Sequence, residues 1–218
     1  MITLEDIKKN KEVQAFVNAS QKQLKALGYT EHSNRHIGIV SKRTEEILTK
    51  LGYDEHTIEL AKIAAYMHDI GNVINRDGHA KTGAVMAFRI LDKLKMKQED
   101  IATIISAIGN HDESSAYPVS VVSSALILAD KTDVRRTRVR QKDDTFSIHS
   151  RVNYAAKSSR VIIDKEQRTL TLNLSIDTNI CSIMDYFEIF LSRMMLCKKA
   201  CEFFNLTFKL LINEQSLL

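Results

Sequence analysis

A histidine followed at once by an aspartate, His68-Asp69, closes an apolar stretch that begins at Ala64. Four more residues of ligating type stand apart from it along the chain: His36, His79, His111 and Asp130. Neighbouring residues on a helix point about 100° apart, so His68 and Asp69 cannot cover one face as core residues would, but at a helix end they can bracket an ion. Imidazole and carboxylate together suit a divalent transition metal such as iron, manganese, zinc, nickel or cobalt. The six residues exceed what one ion needs if water is to keep a place, so the set suits one ion or two. His32 stands one helical turn before His36 and is a rival ligand, although its place suits a residue near the helix cap.

The order His36, His68-Asp69, His79, His111, Asp130 resembles the HD superfamily of metal-dependent phosphohydrolases over roughly residues 30 to 140. The resemblance implies a mainly α helical bundle in which His36, His68, Asp69 and Asp130 hold a first metal. In its binuclear members Asp69 would bridge to a second metal held also by His79 and His111. Two such ions about 4 Å apart would activate a water and clamp the attacking and leaving oxygens at phosphorus. Asp69 and Lys131 are then the catalytic candidates. Three branches of the superfamily fit in part. The glutamate-aspartate pair of guanosine tetraphosphate hydrolases is replaced by Asn72-Val73-Ile74-Asn75. Cyclic dinucleotide phosphodiesterases share His68-Asp69-Ile70-Gly71 but carry a lysine where Asn72 stands. Small bacterial diadenosine tetraphosphate hydrolases share Leu128-Ala129-Asp130-Lys131 yet also favour a lysine soon after the HD pair.

That missing lysine has candidate replacements. Lys131, Arg135, Arg136, Arg138, Arg140 and Lys142 follow Asp130 opposed only by Asp133. Guanidinium forks fit phosphate oxygens, so Lys81, Lys131, Arg135, Arg136 and Arg138 are candidates for gripping a phosphorylated substrate; a solvated helix face is the other reading of the cluster. The expected activity is hydrolysis of a phosphoester or phosphoanhydride, in a nucleotide, by a metal-activated water. The alternative is a catalytically quiet module that binds a nucleotide or a protein.

Positioning these residues requires helices. Thr3 suits the cap of a first helix through Ile7, Val13, Phe16, Val17 and Leu24 to Gly28. Thr30 or Ser33 opens a second, which carries His36 and ends at Gly52. Asp54 or Thr57 opens a third that delivers His68-Asp69, and Gly71 lets the chain turn away. His79 starts a fourth, and His111 ends a fifth led by Glu99-Asp100. Pro118 suits the first turn of a sixth, whose apolar run brings Asp130 in from a buried face. A buried carboxylate there is costly unless it is paired or metal-bound.

Beyond about residue 155 the period changes. Ser159–Asp164 and Thr169–Ile176 read as two strands around a polar turn, and Phe208–Ile212 as a third after an amphipathic helix. We therefore expect a helical metal-binding domain over 1–155 and a small α+β accessory unit over 156–218. Leu170, Leu172, Leu174 and Ile176 need apolar cover, for which Phe187, Phe190 and Met194 are candidates. Met195, Phe203 and Phe204 then leave apolar surface for a homodimer contact, or the unit borders the metal cleft.

Composition sets the remaining bounds. One proline and seven glycines in 218 residues favour long helices. A net charge of +4 is mild and by itself argues for neither a nucleic-acid wrap nor a membrane surface; with no aromatic platform adjoining the basic cluster, nucleic acid is not the expected partner, and no membrane partner is expected. No apolar run reaches bilayer length, and the N-terminus lacks the pattern of a signal peptide, so a cytoplasmic setting is expected. The three cysteines, Cys181, Cys197 and Cys201, read as reduced buried thiols, with Cys197 and Cys201 spaced so that a metal clamp is the competing reading.

Overall fold

Thr3 opens the first helix, α1 (Leu4–Lys9), through a reciprocal cap: its side chain accepts from the Asp6 amide, and the Asp6 carboxylate accepts from the Thr3 amide. The computed structural model describes residues 2–29, 34–139 and 147–217. The helix expected to continue to Gly28 breaks at Asn10. There Asn10 Oδ1 accepts from the amides of Glu12 and Val13 at 2.9 and 3.1 Å and starts α2 (Lys11–Ala26). Asparagine bonds amides ahead of it more readily than it sits inside a helix, and that preference overrides the apolar period.

The helices that carry the ligand residues follow. α3 (Asn34–Leu51) ends at Gly52, whose φ of +87° is open to glycine without strain. Its expected caps Thr30 and Ser33, and the rival ligand His32, lie outside the described residues, as do Arg140 and Lys142. α4 (Glu55–Met67) opens on Asp54, which accepts from the Thr57 amide at 3.0 Å, and a 3-10 helix spans Ile70–Val73. α5 (His79–Lys93) and α6 (Gln98–Gly109) come next. Ser120 caps α7 (Val121–Lys131), its hydroxyl accepting from the Ser123 amide at 3.1 Å. Pro118 therefore precedes the cap instead of occupying the first turn, because the hydroxyl two residues later is what satisfies the helix start.

Every residue of α7 from Val122 to Lys131 is buried, and α3, α4, α6 and the later helix α9 (Ile183–Phe203) surround it. A helix apolar on all sides belongs at a centre, and here it carries Asp130 there. α8 (Ile148–Ala155), which the apolar spacing does not announce, leads into β1 (Ala156–Asp164). β2 (Thr169–Ile176) pairs antiparallel with β1. α9 (Ile183–Phe203) then crosses to β3 (Thr207–Ile212), which pairs parallel to β2, and β4 (Gln215–Ser216) closes the order β1-β2-β3-β4. Leu170, Leu172, Leu174 and Ile176 are buried on one face, as the alternation requires, and Phe190 and Met194 of α9 are fully buried. Nearly all buried apolar residues form one cluster from Leu4 to Ile212. Among the described residues no helix is long and apolar enough to cross a membrane.

Candidate metal centre

Two glycines bring the ligand helices together. A methyl group at Gly71 would lie 2.5 Å from Gly83 N and 2.6 Å from Thr82 Oγ1, and still closer to His79 O. At Gly83 a methyl would lie 3.2 Å from Gly71 N and 3.4 Å from His68 O. The 3-10 turn after His68-Asp69 therefore rests backbone to backbone on the first turns of α5. The turn needs glycine for this contact, since Gly71 is not among the glycines with positive φ.

The contact sets His79 against the HD pair. Two groups of ligating atoms share His68. His36, His68 and Asp130 form one, and His68, Asp69 and His111 the other, with the ligating atoms in each within 4.8 Å of one another. Asp69 Oδ2 is 3.3 Å from His68 Nε2 and 4.0 Å from His36 Nε2, while its Oδ1 is 3.4 Å from His79 Nε2. Asp130 Oδ1 is 3.3 Å from His36 Nε2 and 3.8 Å from His68 Nε2. His79 Nε2 and His111 Nε2 face one another at 3.3 Å. All six residues are buried at 9% exposure or less.

The outer nitrogens decide the tautomers. Nδ1 of His68, His79 and His111 lies 2.7, 2.9 and 2.6 Å from the carbonyls of Ala65, Arg76 and Ile108. A carbonyl only accepts, so each Nδ1 carries the proton and each Nε2 presents a lone pair inward. His36 Nδ1 donates in the same way to Asp133 Oδ2 at 2.7 Å. His68 Nε2 has no hydrogen-bond partner among the described residues. Inward lone pairs beside two carboxylates fit a cation, and partners on the outer nitrogens are the support that metal-binding histidines use.

Charge follows the same plan. Burial, with the nearby His68 and Lys131, pushes the His111 imidazole down to about 3, which keeps its lone pair free at neutral pH. Burial lowers His79 too. For His68 burial acts downward, but Asp69 and Asp130 outweigh it and the net direction is up; the same negative charge would favour a cation. Burial works against ionised Asp130, yet Lys131 and His36 hold its carboxyl well below the usual range. Lys131 Nζ lies 2.7 Å from Asp130 Oδ2 and 2.6 Å from Glu113 Oε2.

The basic candidates separate. A small cavity opens at the ligand cluster, and Lys81, exposed on α5, is absent from its lining, because the first turn of α5 points His79 inward and its second neighbour outward. Arg135 is engaged by Asp133, with Nε 2.7 Å from Oδ1, and Arg136 donates to the Tyr154 carbonyl and stacks on the Tyr154 ring. Lys131 and buried Arg138 line the cavity, and Arg138 donates to the Asp133 carbonyl at 2.9 Å. Sequence reasoning missed Arg76, Asp133, Arg193 and Asp112, whose Oδ1 lies 3.9 Å from His79 Nε2 and 4.0 Å from Arg76 Nη2. Arg76 Nη1 is 3.7 Å from Asp69 Oδ1 and 3.3 Å from Asn72 Oδ1, while Asn72 Nδ2 donates to Asp69 Oδ1 at 2.9 Å. Asn72 thus bonds both Asp69 and Arg76, and Arg76 reaches the Asp69 carboxylate from the irregular turn between the 3-10 helix and α5.

The HD domain family model matches residues 34–188, which is most of the chain and contains all six ligand candidates. The chain belongs to the HD domain family. A relative from Methanocaldococcus jannaschii, the uncharacterized protein MJ1020, is 28% identical over 170 residues, 67% of this chain and 65% of that protein. The match therefore spans slightly under two thirds of the relative's length. Among solved structures, a predicted HD superfamily hydrolase from an uncultured Thermotogales bacterium covers 62% of this HD protein and 75% of its own chain, at 23% identity and a TM-score of 0.45. The cysteines lie elsewhere: all three are free and buried, and burial pushes Cys197 up to about 12.

Proposed function

We propose that this HD protein is a metal-dependent phosphohydrolase that cleaves a phosphoester or phosphoanhydride bond of a nucleotide. The observation that carries the reading is the convergence of four imidazole Nε2 atoms and two carboxylates, with every outer Nδ1 fixed by an acceptor. His36, His68, Asp69 and Asp130 would hold a first divalent ion, and Asp69, His79 and His111 a second. When bound, the metal supplies Lewis acidity toward phosphate oxygen and a lowered pKa for water. The chain's own groups do the rest. Asp69 presents one oxygen toward each ligand group, Lys131 keeps Asp130 ionised, and Arg76 lies on the same side as Asp69 Oδ1, where it would neutralise phosphate charge.

The accessory role of residues 156–218 and a cytoplasmic homodimer belong to the same reading. Support for the dimer comes from exposed Met184, Leu191, Met195 and Phe203 on α9, and light scattering reads it. The main test is phosphate release from a panel of nucleotides by protein loaded in turn with manganese, iron, zinc, nickel or cobalt. His68→Ala and Asp69→Ala are expected to lose both metal and activity. Wild-type metal content in both variants would overturn the ligand assignment, and metal binding without hydrolysis of any panel member would favour a binding module.

A further inference from the structure

The cavity at the ligand cluster is small, about 10 Å³, and is lined by Asp69, His79, His111, Asp130 and Lys131 together with three arginines. A second cavity of about 330 Å³ lies outside it, a volume typical of sites for small organic ligands. The residues common to both linings are Arg76, Arg138 and Arg193. Three guanidinium groups therefore border both cavities.

These arginines are held in place before any ligand arrives. Arg193 donates from Nε to Glu113 Oε1 at 2.9 Å, and its guanidinium stacks 4.6 Å from the Phe190 ring centre. Arg76 bonds Asn72 and lies 5.9 Å from the Tyr29 ring centre. Arg138 is buried with its Nη1 on the Asp133 carbonyl. Glu113 is the sole carboxylate among the described residues lining the outer cavity, and both its oxygens are engaged by Lys131 and Arg193. Carboxylates of Asp69 and Asp112 lie 3.7 and 4.0 Å from Arg76, and that of Asp133 lies 3.8 Å from Arg138, so the three arginines are oriented by acidic neighbours, while Tyr29, Phe190 and Leu27 give the outer cavity apolar walls. Planar forks in this number match phosphate better than a single carboxylate.

We propose that Arg76, Arg138 and Arg193 select a substrate with at least two contiguous phosphates, one at the ligand cluster and the next among these arginines, with its organic part in the outer cavity. This deepens the phosphohydrolase reading and, for its hydrolytic step, rests on it. In that step the oxygen of one water bonds to the phosphorus at the ligand cluster and the anhydride P–O bond breaks. The electron pair goes to the oxygen of the phosphate held by the arginines, and the two protons of the water are shared between product oxygens and solvent. Arg193 makes α9 part of the site, so the helix that follows the hairpin sets specificity.

The test is calorimetric binding of methylenediphosphonate, which has no bond to hydrolyse, against orthophosphate. Full-length protein is used, with manganese at the same saturating level in cell and syringe. Wild type is expected to bind the diphosphonate about tenfold or more tighter than orthophosphate, and Arg76→Gln and Arg193→Gln each to lose about tenfold for the diphosphonate with a much smaller change for orthophosphate. Arg193→Lys, which keeps the charge without the fork, is expected to fall between. Equal wild-type affinity for the two probes, or equal losses for both in the variants, overturns the proposal. A protein that hydrolyses no nucleotide yet binds the diphosphonate through these arginines keeps it and removes only the phosphohydrolase reading. One that hydrolyses monoesters with a KM unmoved by either substitution keeps that reading and removes this proposal.

Discussion

Replacing Gly71 with alanine should damage the metal centre more than it damages the fold. The new methyl would meet Gly83 N at 2.5 Å and Thr82 Oγ1 at 2.6 Å, and real Cβ contacts stay beyond 3.0 Å. Thr82 can rotate, but Gly83 N is backbone, so α5 must retreat from the 3-10 turn by at least about 0.5 Å, against a metal-ligand tolerance of about 0.2 Å. His79 begins α5 and moves with it, away from Asp69 Oδ1 and His111 Nε2, which it now faces at 3.4 and 3.3 Å. Overpacking of this kind costs about 1–3 kcal/mol, or a few degrees in Tm for each kcal/mol in a chain this long. The expected result is a folded protein with a lower Tm whose second metal equivalent binds at least about tenfold more weakly, read by metal titration and elemental analysis. Gly83→Ala, where the nearest backbone contact is 3.2 Å, should show the same effects in milder form. If Gly71→Ala retains wild-type stoichiometry, affinity and Tm, then the backbone contact does not position His79 and the reasoning fails.

Asp133→Asn should leave the fold intact while weakening metal binding about 10–100-fold, because the partner of His36 Nδ1 becomes a weaker acceptor; unchanged affinity by titration would refute that role. Burial raises Glu113, but Lys131 and Arg193 outweigh it and hold its carboxyl below the usual 4.5. The sign of the linkage follows: Glu113 adds stability above pH 4.5 that is lost as pH falls through its lowered folded value, so acid should narrow the Tm gap between wild type and Glu113→Gln. A gap constant from pH 7 to the acid transition would argue against the pair. Cys181, Cys197 and Cys201 are at most 3% exposed and all three thiols are pushed up by burial, so iodoacetamide should label them at neutral pH only when denaturant is added. Mass spectrometry that finds rapid labelling of Cys197 in native protein would contradict this.

The cluster of candidate ligand residues was legible because their types are rare in apolar helices and their order is specific. Legible also were the strands, since Leu170, Leu172, Leu174 and Ile176 alternate without interruption. Local polar chemistry was harder to weigh against periodicity. Asn10 splits what the apolar spacing joins, and Ser120 starts a helix where Pro118 drew attention. α8 escaped because eight residues hold too few apolar positions to show a period. Partners distant in sequence were the least visible. Arg193 is 80 residues from Glu113, and Asp133 is 97 from His36, so nothing local marks either contact. Asp133 was read as a lone counter-charge to the arginines after it, when its buried carboxylate serves both them and a histidine.

The parallel pairing of β2 with β3 has a consequence for how the protein is made. A hairpin can close as soon as its second strand leaves the ribosome, but β3 can join β2 only after the whole of α9 has been synthesised between them. α9 packs against α7, the helix that ends at Asp130, and carries Arg193 to the cavity rim. The last ligand candidate, Asp130, is therefore translated 63 residues before Arg193, which lines the same cavity. During that interval the apolar surface of α7 lacks one of its covers, and the candidate ligand set is still open on the α9 side. Pausing translation between β2 and α9 should thus yield a chain that already binds metal but is more prone to aggregation and mis-metallation than the finished one.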